Sequence, residues 1–451
     1  MTTAVRPTSP PVAAGRIGVV LGSALYVAAV LGTGILLLPT LAVRAAGPAS
    51  LLAVAAVLTV SVPLASAFAA LATRHPDSGG VATYVRLALG PTPARATGYW
   101  FFFGVCVGAP VVALVGAQYV VAMLGGSQGQ VYLVGAVLLL PPLVTNAVGL
   151  RLSGPVQLVL TGLLVILVVL VVLASLPSSE PAALRPFLPH GWSGVGAAAS
   201  LFVWAFAGWE AVTHLAGEFR DPRRTIPRAT AIALVVVGAA YLALQYVAVT
   251  ALDGSVSDVP LMDLVDVGLP GAGRVAVALV AGIVTLGVLG AYFGAFAKLG
   301  ASLGRDGDLP RWIADGAQPG GVPRRALLVV AALSFAYFAL VVAVGGDLEP
   351  FVLVHTSCMV GVYALGSAAA VRLLERGSAG WWCGMVACGL ALVLAALAGW
   401  HLLVPLGLAI VAVVVGRVRS ARHGHGHAHG SGQGTGTGVG DRWEEAGETT
   451  G

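Results

Sequence analysis

The sequence predicts an all-α membrane protein whose helices cross the bilayer many times. Hydrophobic residues make up 58% of the 451 residues and charged residues only 10%, whereas about a quarter of the residues in a soluble domain are charged. The apolar residues form runs of about 17–25 residues separated by short polar clusters, which is the pattern of transmembrane helices. Basic residues recur in these short loops and form no single patch, so we expect no nucleic-acid partner.

Twelve spans follow a polar N-terminal tail at 1–16. The first apolar segment is too long for the core of a signal peptide, and we interpret it as a retained span. The spans form a group of five over 17–176, a second group of five over 192–374 and two more over 379–416. We place their bounds at 17–39, 47–71, 98–124, 129–149, 154–176, 192–216, 229–252, 274–299, 326–345, 350–374, 379–398 and 400–416.

The tail at 417–451 is rich in Gly, His and Ser. It cannot bury enough apolar area to fold, so we expect it to be disordered. We interpret its alternating histidines as low-complexity sequence with adventitious metal affinity, while a dedicated metal site is the alternative.

Loop charges orient the spans, since cytoplasmic loops carry an excess of Lys and Arg. If both termini are cytoplasmic, all but three of the 24 basic residues fall in inside segments; the exceptions are Arg44, Arg185 and Arg274. The outside loop 253–266 carries aspartates instead. The opposite orientation would invert this asymmetry.

The first span contains the weak stretch VLGTGILLLP, in which Gly32 and Gly34 flank Thr33 and Pro39 follows. A glycine costs a helix interior about 1 kcal/mol relative to alanine. Non-helical backbone survives in lipid only where protein or a cavity covers it. Two interpretations stay open here: an unwound segment whose N–H groups, up to that of Ile35, face a bound anion, or close packing of small residues between helices.

The sixth span repeats this weakness in FVWAFAGWEAVTH, with Ala207 and Gly208 at its middle. Five helices separate the two weak spots, so the chain enters the sixth span from the opposite side. Interrupted segments at corresponding places in two successive halves indicate an inverted-repeat transporter. In that architecture half-helix N-termini point at an anionic substrate group, which favours the N–H groups around Trp209 as a second donor set.

Glu210 is the only acidic residue that we place inside a span. Ionisable groups within a membrane are rare, and a functional site is the default hypothesis for them. In an α-helix Glu210 and His214, four residues apart, would share one face. We interpret Glu210 as a proton-coupling carboxyl with His214 as a second candidate; the alternative is a structural carboxyl paired with His214 or with backbone groups.

Two other residue types have simpler interpretations. The four cysteines lie in apolar runs without a CxxC spacing, which indicates buried thiols and neither disulfides nor a metal site. His355, in the tenth span, either lines the cavity or is a hydrogen-bonded interior histidine.

The two weak spans resemble those of the amino acid–polyamine–organocation permeases. LGTGILLLP is similar to the family's G-[ST]-G break in span 1, and FVWAFAGWEAVTHLAGEFRDPRRTIPRA is similar to its span 6 and the loop that follows. Within the family, the exporters of L-methionine and branched-chain amino acids look most similar, through WAFAGWEAVTHLAGEFRDP and RHPDSGGVATYV. The resemblance implies a five-plus-five inverted-repeat core with helices 1 and 6 broken, plus two C-terminal helices.

The resemblance also implies roles for individual residues. The α-carboxylate of the substrate would be held at the span 1 break, and its α-ammonium by carbonyls freed in span 6. Trp204 and Tyr99 match gating aromatics, and Glu210 matches a proton-linked carboxylate. The expected substrate site is Gly32, Thr33, Gly34, Ile35, Trp204, Phe206, Ala207, Gly208 and Trp209, with Glu210 and His214 for the proton and Tyr99 as a second gate.

Two departures from the family bear on the coupling ion. Some proton-coupled members carry a lysine in span 5, but the only lysine here, Lys298, follows span 8. Sodium-coupled members place paired hydroxyls in span 8, where this sequence offers Thr285 alone. The single hydroxyl weakens the case for sodium coupling. Proton antiport through Glu210 and exchange without a coupling ion stay open.

We therefore expect a secondary transporter that exports neutral or hydrophobic L-amino acids, of the methionine, leucine, isoleucine and valine class, across the plasma membrane by alternating access coupled to protons. A proton-coupled uptake permease and an amino acid exchanger are alternatives with the same fold. An enzyme is not expected, since the sequence has no nucleophile-elbow or HExxH motif, and a metal exporter would need more carboxylates or histidines within the spans. The expected partners are an amino acid, a proton and the bilayer, with no cofactor and no metal.

Overall fold

The computed structural model describes residues 17–75, 80–149, 154–205, 207–252, 257–269, 271–318 and 321–428. Almost all of this part of the chain is helical. The α-helices, numbered α1 to α16, are Val19–Leu31, Gly34–Ala46, Ser50–Arg74, Gly80–Leu89, Pro91–Tyr99, Gly108–Leu124, Gln128–Ala147, Gly154–Ser175, Gly191–Ala205, Pro222–Thr250, Pro260–Gly268, Ala272–Arg305, Arg324–Ala343, Glu349–Leu373, Ala379–Ala398 and Leu403–Ala428. A π-helical turn at Trp100–Gly104 and 3₁₀ segments at Gly47–Ala49, Val105–Val107, Leu176–Ser178, Pro181–Leu184, Ala211–Glu218, Arg311–Ala314 and Gly399–Leu402 complete the elements.

The prediction of an all-α polytopic membrane protein is confirmed. Within the described ranges, nine helical stretches are long and apolar enough to cross a membrane. The stretch Val19–Arg74 contains the second predicted span and all but the first two residues of the first, and Ala379–Arg419 contains the last two. The predicted sixth span is interrupted, because α9 ends at Ala205. The count of twelve spans and the inverted repeat stay predictions.

The distribution of apolar side chains suits a bilayer. The helices α6 and α14 are largely buried along their length, whereas α7, α8 and α16 expose large apolar side chains, such as Leu133 at 65% and Ile410 at 64% exposure. Exposed apolar surface of this extent would promote association in water. In contact with lipid tails it is the expected surface, and the backbone groups behind it are bonded within their own helices.

The segment predicted to lie outside between spans 7 and 8 folds over neighbouring helices through α11. Two of the three predicted outside arginines form ion pairs with aspartates at its ends: Arg44 with Asp258 at 3.0 Å and Arg274 with Asp266 at 2.6 Å. The Thr40 hydroxyl in α2 donates to the carbonyl of Ser257 at 2.7 Å. These contacts connect the segment to α2 and α12.

The start of α1 is joined to the chain that follows the sixth predicted span. Ile17 N–H donates to the Glu218 carbonyl and Arg220 N–H donates to the Ile17 carbonyl, both at 3.0 Å, and they form an isolated parallel bridge. Phe219 lies between these residues and is buried. One end of each weak span is therefore held at the same side of the molecule.

The end of the last span differs from the prediction. α16 continues past 416 to Ala428, so the helix includes the first residues of the predicted tail. Elongating an existing helix is far easier than starting one, which explains why polar residues are added to its end. The N-terminal tail at 1–16 and residues 429–451 lie outside the described residues.

Candidate functional site

The first weak stretch is a break in the helix. Only Gly32 and Thr33 separate α1 from α2. Gly32 has φ of 32°, a left-handed value that glycine adopts without the steric cost of a side chain. α2 thus has its N-terminus within the first predicted span, where the helical ladder leaves the N–H groups of Gly34 and Ile35 without carbonyl partners. Such an N-terminus favours an anion.

The second weak stretch is also a break, and the chain beyond it changes helix type. α9 ends at Ala205, residues 207–210 form turns, and residues 211–218 form a 3₁₀ segment. The N–H of Gly208 donates to the Glu210 carboxyl at 3.1 Å. Thr213 donates to the Glu210 carbonyl through its N–H at 2.9 Å and also through its hydroxyl. A 3₁₀ segment of this length is unusual and is typical of a hinge or a strained functional segment.

The 3₁₀ geometry differs from the α-helix in which Glu210 and His214 were expected to share a face. A 3₁₀ helix has three residues per turn, so positions four apart differ by about 120° around the axis and share no face. Residues three apart do share a face, and the contact found is from Thr213 to the Glu210 carbonyl. The side chain of His214 lies outside the described residues, as does Phe206.

The two breaks pack directly against each other. A Cβ atom added to Gly34 would lie 3.2 Å from the Cβ of Ala205, at the end of α9, and 2.7 Å from the hydroxyl oxygen of Tyr241 in α10. A Cβ added to Gly208 would lie 2.8 Å from the carbonyl oxygen of Ala29 in α1. The Tyr241 hydroxyl donates to the Leu31 carbonyl at 3.3 Å and so satisfies an acceptor freed at the end of α1. Both glycines are therefore needed for the close approach of the two backbones.

Glu210 is buried at this contact, with 6% of its surface exposed. Its carboxyl accepts from the Gly208 N–H and from the Tyr363 hydroxyl of α14 at 3.2 Å. Trp209 is fully buried, and its ring packs on Tyr26 of α1 with ring centroids 5.9 Å apart. The break in the sixth predicted span is thus bonded to α14 on one side and packed on α1 on the other.

Trp204, expected to be a gating aromatic, lies one residue before the end of α9 and contacts His355 of α14. The two rings form an edge-to-face pair with centroids 5.9 Å apart. His355 Nδ1 lies 3.2 Å from the Val105 carbonyl oxygen. His355 is therefore a hydrogen-bonded interior histidine, while its lining of a cavity stays a prediction.

Tyr99, expected to be a second gate, is part of a different polar cluster. Its hydroxyl donates to the backbone carbonyl of Asp308 at 2.6 Å. The carboxyl of Asp308, 2% exposed, forms an ion pair with Arg95 and has Arg86 at 3.7 Å and Arg419 at 3.9 Å. These contacts join α4, α5 and α16 to the loop after α12, so the role expected for Tyr99 remains a prediction.

Sequence reasoning missed the tyrosines that complete the site. Tyr241 and Tyr363 bond groups at the two breaks, and a third tyrosine, Tyr119, donates to the Leu36 carbonyl in α2 at 2.8 Å while accepting from the Leu261 N–H in α11 at 3.2 Å. Their sequence signal is weak, since aromatic residues are common at membrane interfaces. Among the described residues, no group of three or more His, Cys, Asp or Glu could hold a metal ion.

Comparisons with known proteins identify the family of the chain. The profile of the family described as amino acid permease matches residues 17–425. A Bacillus subtilis protein named uncharacterized amino acid permease YecA is 31% identical over 394 residues, which is 86% of this chain and 92% of the relative. The L-methionine/branched-chain amino acid exporter YjeH of Escherichia coli is 35% identical over 231 residues, about half of each chain at 50% and 54%.

A Mycobacterium tuberculosis protein named uncharacterized transporter Rv1999c is 30% identical over 370 residues, 80% of this chain and 81% of the relative. The family and these relatives are transporters and not enzymes. With two helices interrupted at buried glycines and a family profile that spans most of its length, the chain belongs to the amino acid permease family.

Proposed function

We propose that this permease moves neutral or hydrophobic L-amino acids, of the methionine, leucine, isoleucine and valine class, across the plasma membrane by alternating access. In this proposal it works as an exporter coupled to protons. The observation that carries the proposal is the direct contact of the two helix breaks, with a buried carboxyl bonded to one of them.

The substrate's main chain fits the two breaks. The N–H groups of Gly34 and Ile35, at the break formed by Gly32 and Thr33, offer donors for an α-carboxylate, because helix N-termini favour anions. Carbonyls between Trp204 and Trp209, including that of Ala207, would accept from the α-ammonium. Glu210 is the one acidic or basic side chain in the two interrupted segments at 32–35 and 204–213, so a substrate with a neutral side chain leaves no buried charge unpaired.

Glu210 is suited to link protonation to the shape of the second break. As a carboxylate it accepts from both Gly208 and Tyr363. As a neutral acid it carries a proton of its own and becomes a donor at one oxygen. Uptake of a proton therefore changes the hydrogen bonds that connect the break to α14. Such a change would couple proton binding to the alternating-access cycle.

The proposal includes an architecture: a first repeat over 17–176, a second over 192–374, two further helices over 379–416, and both termini in the cytoplasm. Rocking of one helix bundle against the other around the breaks would then expose the site to each side in turn. The bridge between Ile17 and Phe219, which joins one end of each broken span, would have to open on one side of the membrane during this cycle.

The test is transport by the purified full-length protein in proteoliposomes. Vesicles that contain the protein are preloaded with radiolabelled leucine or methionine and given a proton gradient across the membrane. They should release the label faster than equally loaded vesicles without the protein. Unlabelled neutral amino acids should change the rate at which label is released, either by exchange or by competition for the site, while lysine and glutamate should leave that rate unchanged. Absence of movement for every neutral amino acid, with or without a gradient, would refute the proposal.

Direction needs a cellular test. Cells that express the permease and are fed leucine- or methionine-containing dipeptides should hold less free amino acid inside and accumulate more outside than cells with the empty vector. Higher internal levels under the same conditions would identify an uptake permease. Transport that requires amino acid on both sides of the vesicle membrane, and is indifferent to pH, would identify an exchanger.

A further inference from the structure

A cavity of about 230 Å³ lies between α9, α14 and α15. Its lining includes Ser200 and Val203 of α9, Thr356 and Val360 of α14, and Leu394 of α15. Residues three or four apart lie on one face of a helix, so α9 and α14 each turn one face towards this space. An engineered cavity of about 150 Å³ binds benzene, so this one can hold an aromatic or branched apolar body of that size.

The cavity has a largely apolar buried end and a polar opening. Val203 and Val360, each 2% exposed, and Leu394, 8% exposed, line the buried end. The exposed lining residues include Glu349, the first residue of α14, and Trp400, in the turn after α15. That turn joins the last two spans on the side predicted to be outside, so the cavity opens near the outer surface.

The opening carries negative charge. Glu349 is exposed there and its N–H donates to the carboxyl of Asp347 at 3.1 Å, so two acidic residues lie together at the start of α14. His401 adds an acceptor, because its Nδ1 must donate to the Ala398 carbonyl oxygen 3.3 Å away and Nε2 of the neutral ring is then bare. None of the described residues that line the cavity is Lys or Arg. The opening therefore attracts an ammonium group and repels a carboxylate.

We propose that this cavity is a binding site for a small amphipathic amine, with its apolar body between α9, α14 and α15 and its ammonium group at Glu349. The exposed indole of Trp400 adds an aromatic surface of the kind that attracts ammonium ions. An amino acid fits less well, because its α-carboxylate would lie beside Glu349 and Asp347. The ligand of this site therefore differs in charge from the substrate of the transporter.

Occupancy of the cavity has a consequence for transport, and this part of the inference rests on the proposed function. Val203 directly precedes Trp204 near the end of α9, and Val360 lies three residues before Tyr363, which bonds Glu210. A molecule bound between α9 and α14 opposes any change in their spacing. We expect it to slow the transport cycle without competing for the amino acid, since it binds outside the two breaks.

Two compounds of similar shape test the site. They are 2-phenylethylamine and 2-phenylethanol, in which an ammonium group and a hydroxyl occupy the same position. Binding to the purified full-length protein is measured by isothermal titration, with protein-free detergent as the blank. We expect the amine to bind about fivefold more tightly than the alcohol, which is the effect of a well-placed exposed ion pair.

Three variants locate the binding. Glu349→Gln should bring the two dissociation constants together by weakening binding of the amine alone. Glu375→Gln is its matched control, since Glu375 is an exposed glutamate just beyond the other end of α14, and it should leave both constants unchanged. Leu397→Trp adds bulk at a lining residue that is 45% exposed, so it should weaken binding of both compounds without overpacking the core.

Leucine transport in proteoliposomes provides a second measurement. In the wild-type protein, 2-phenylethylamine should lower the maximal rate and leave KM unchanged. The same concentration should have little effect on Leu397→Trp. Inhibition that raises KM alone would show that the amine competes at the transport site, and it would overturn a separate site.

The binding results decide the inference independently of transport. Equal binding of the two compounds, or a preference for the amine that survives Glu349→Gln, would overturn it. Absence of binding would also overturn it, and phospholipid retained in native mass spectra by the wild type but not by Leu397→Trp would then identify a lipid as the occupant. Amine binding that responds to the variants as expected, in a protein that moves no neutral amino acid, would support the site and refute the proposed function.

Discussion

At the residue scale, Glu210 connects a helix break to a neighbouring helix. Its carboxyl is held by one backbone donor from Gly208 and one side-chain donor from Tyr363. Hydrogen bonds to charged groups contribute about 1.5–3 kcal/mol, more than neutral ones. Loss of the negative charge on protonation therefore weakens both bonds at once, which makes this residue the natural point for a proton to act.

Replacing Glu210 with glutamine tests this role. Glu210→Gln keeps the shape and an acceptor oxygen but cannot titrate. We expect transport in proteoliposomes to become independent of pH, whereas the rate of the wild-type protein changes with pH. The measurement is the initial rate at a series of equal internal and external pH values.

A surface carboxyl provides the control for that experiment. Glu375 pairs with Arg74 at 2.9 Å and is 72% exposed at its side chain, and such pairs contribute roughly 0–1 kcal/mol. Glu375→Gln should therefore retain the wild-type pH profile. A Glu210→Gln variant that also kept the wild-type profile would remove Glu210 from coupling and leave it as a structural carboxyl.

At the element scale, the two broken helices depend on glycines for their contact. Gly34→Val would place a branched side chain where a single Cβ already lies 2.7 Å from the Tyr241 hydroxyl and 3.3 Å from the Ala205 Cα. Overpacking of a well-packed site costs about 1–3 kcal/mol. We expect substrate binding to be lost while the protein still elutes as a folded species in detergent, since the rest of α2 is unaffected.

The matched control is a glycine with open space around it. A Cβ added to Gly162, in α8, meets nothing within 4 Å, so Gly162→Val should bind substrate as the wild type does. Binding is measured by isothermal titration or by competition with labelled leucine. Intact binding by Gly34→Val would show that the break serves helix packing only.

The breaks were predictable from sequence because their signal is local. Gly32, Gly34 and Gly208 weaken a helix wherever it packs, and the break positions follow directly. The 3₁₀ form of 211–218 was not predictable, because AVTHLAGE contains good α-helix formers and only one glycine. The shared face expected for Glu210 and His214 presumed an α-helix, and the role of His214 stays a prediction.

The partners of the break residues depend on contacts that are distant in sequence. Tyr241 reaches Leu31 across 210 positions and Tyr363 reaches Glu210 across 153. No local pattern distinguishes these two tyrosines from others that lie at a membrane interface. The same holds for Tyr99, whose sequence position suggested a gate and whose hydroxyl is bonded near the loop after α12.

At the scale of the whole molecule, the basic residues are distributed unevenly between the two faces of the predicted membrane orientation. Of the three arginines that fall outside in the predicted orientation, Arg44 and Arg274 are each paired with an aspartate. Arg185 is the third, and all other basic residues lie in segments predicted to face the cytoplasm. The predicted orientation rests on this count of Lys and Arg, to which acidic residues contribute little.

This asymmetry predicts which loops face outwards, and single cysteines can test it. In a variant whose four native cysteines are replaced by serine, Gln128→Cys should react with a membrane-impermeant maleimide in intact cells, because it lies at the exposed start of α7 between spans 3 and 4. Arg376→Cys, at an exposed position after α14, should react only after lysis. Basic loops are retained on the cytoplasmic side, so the reverse labelling pattern would place both termini outside and refute the orientation.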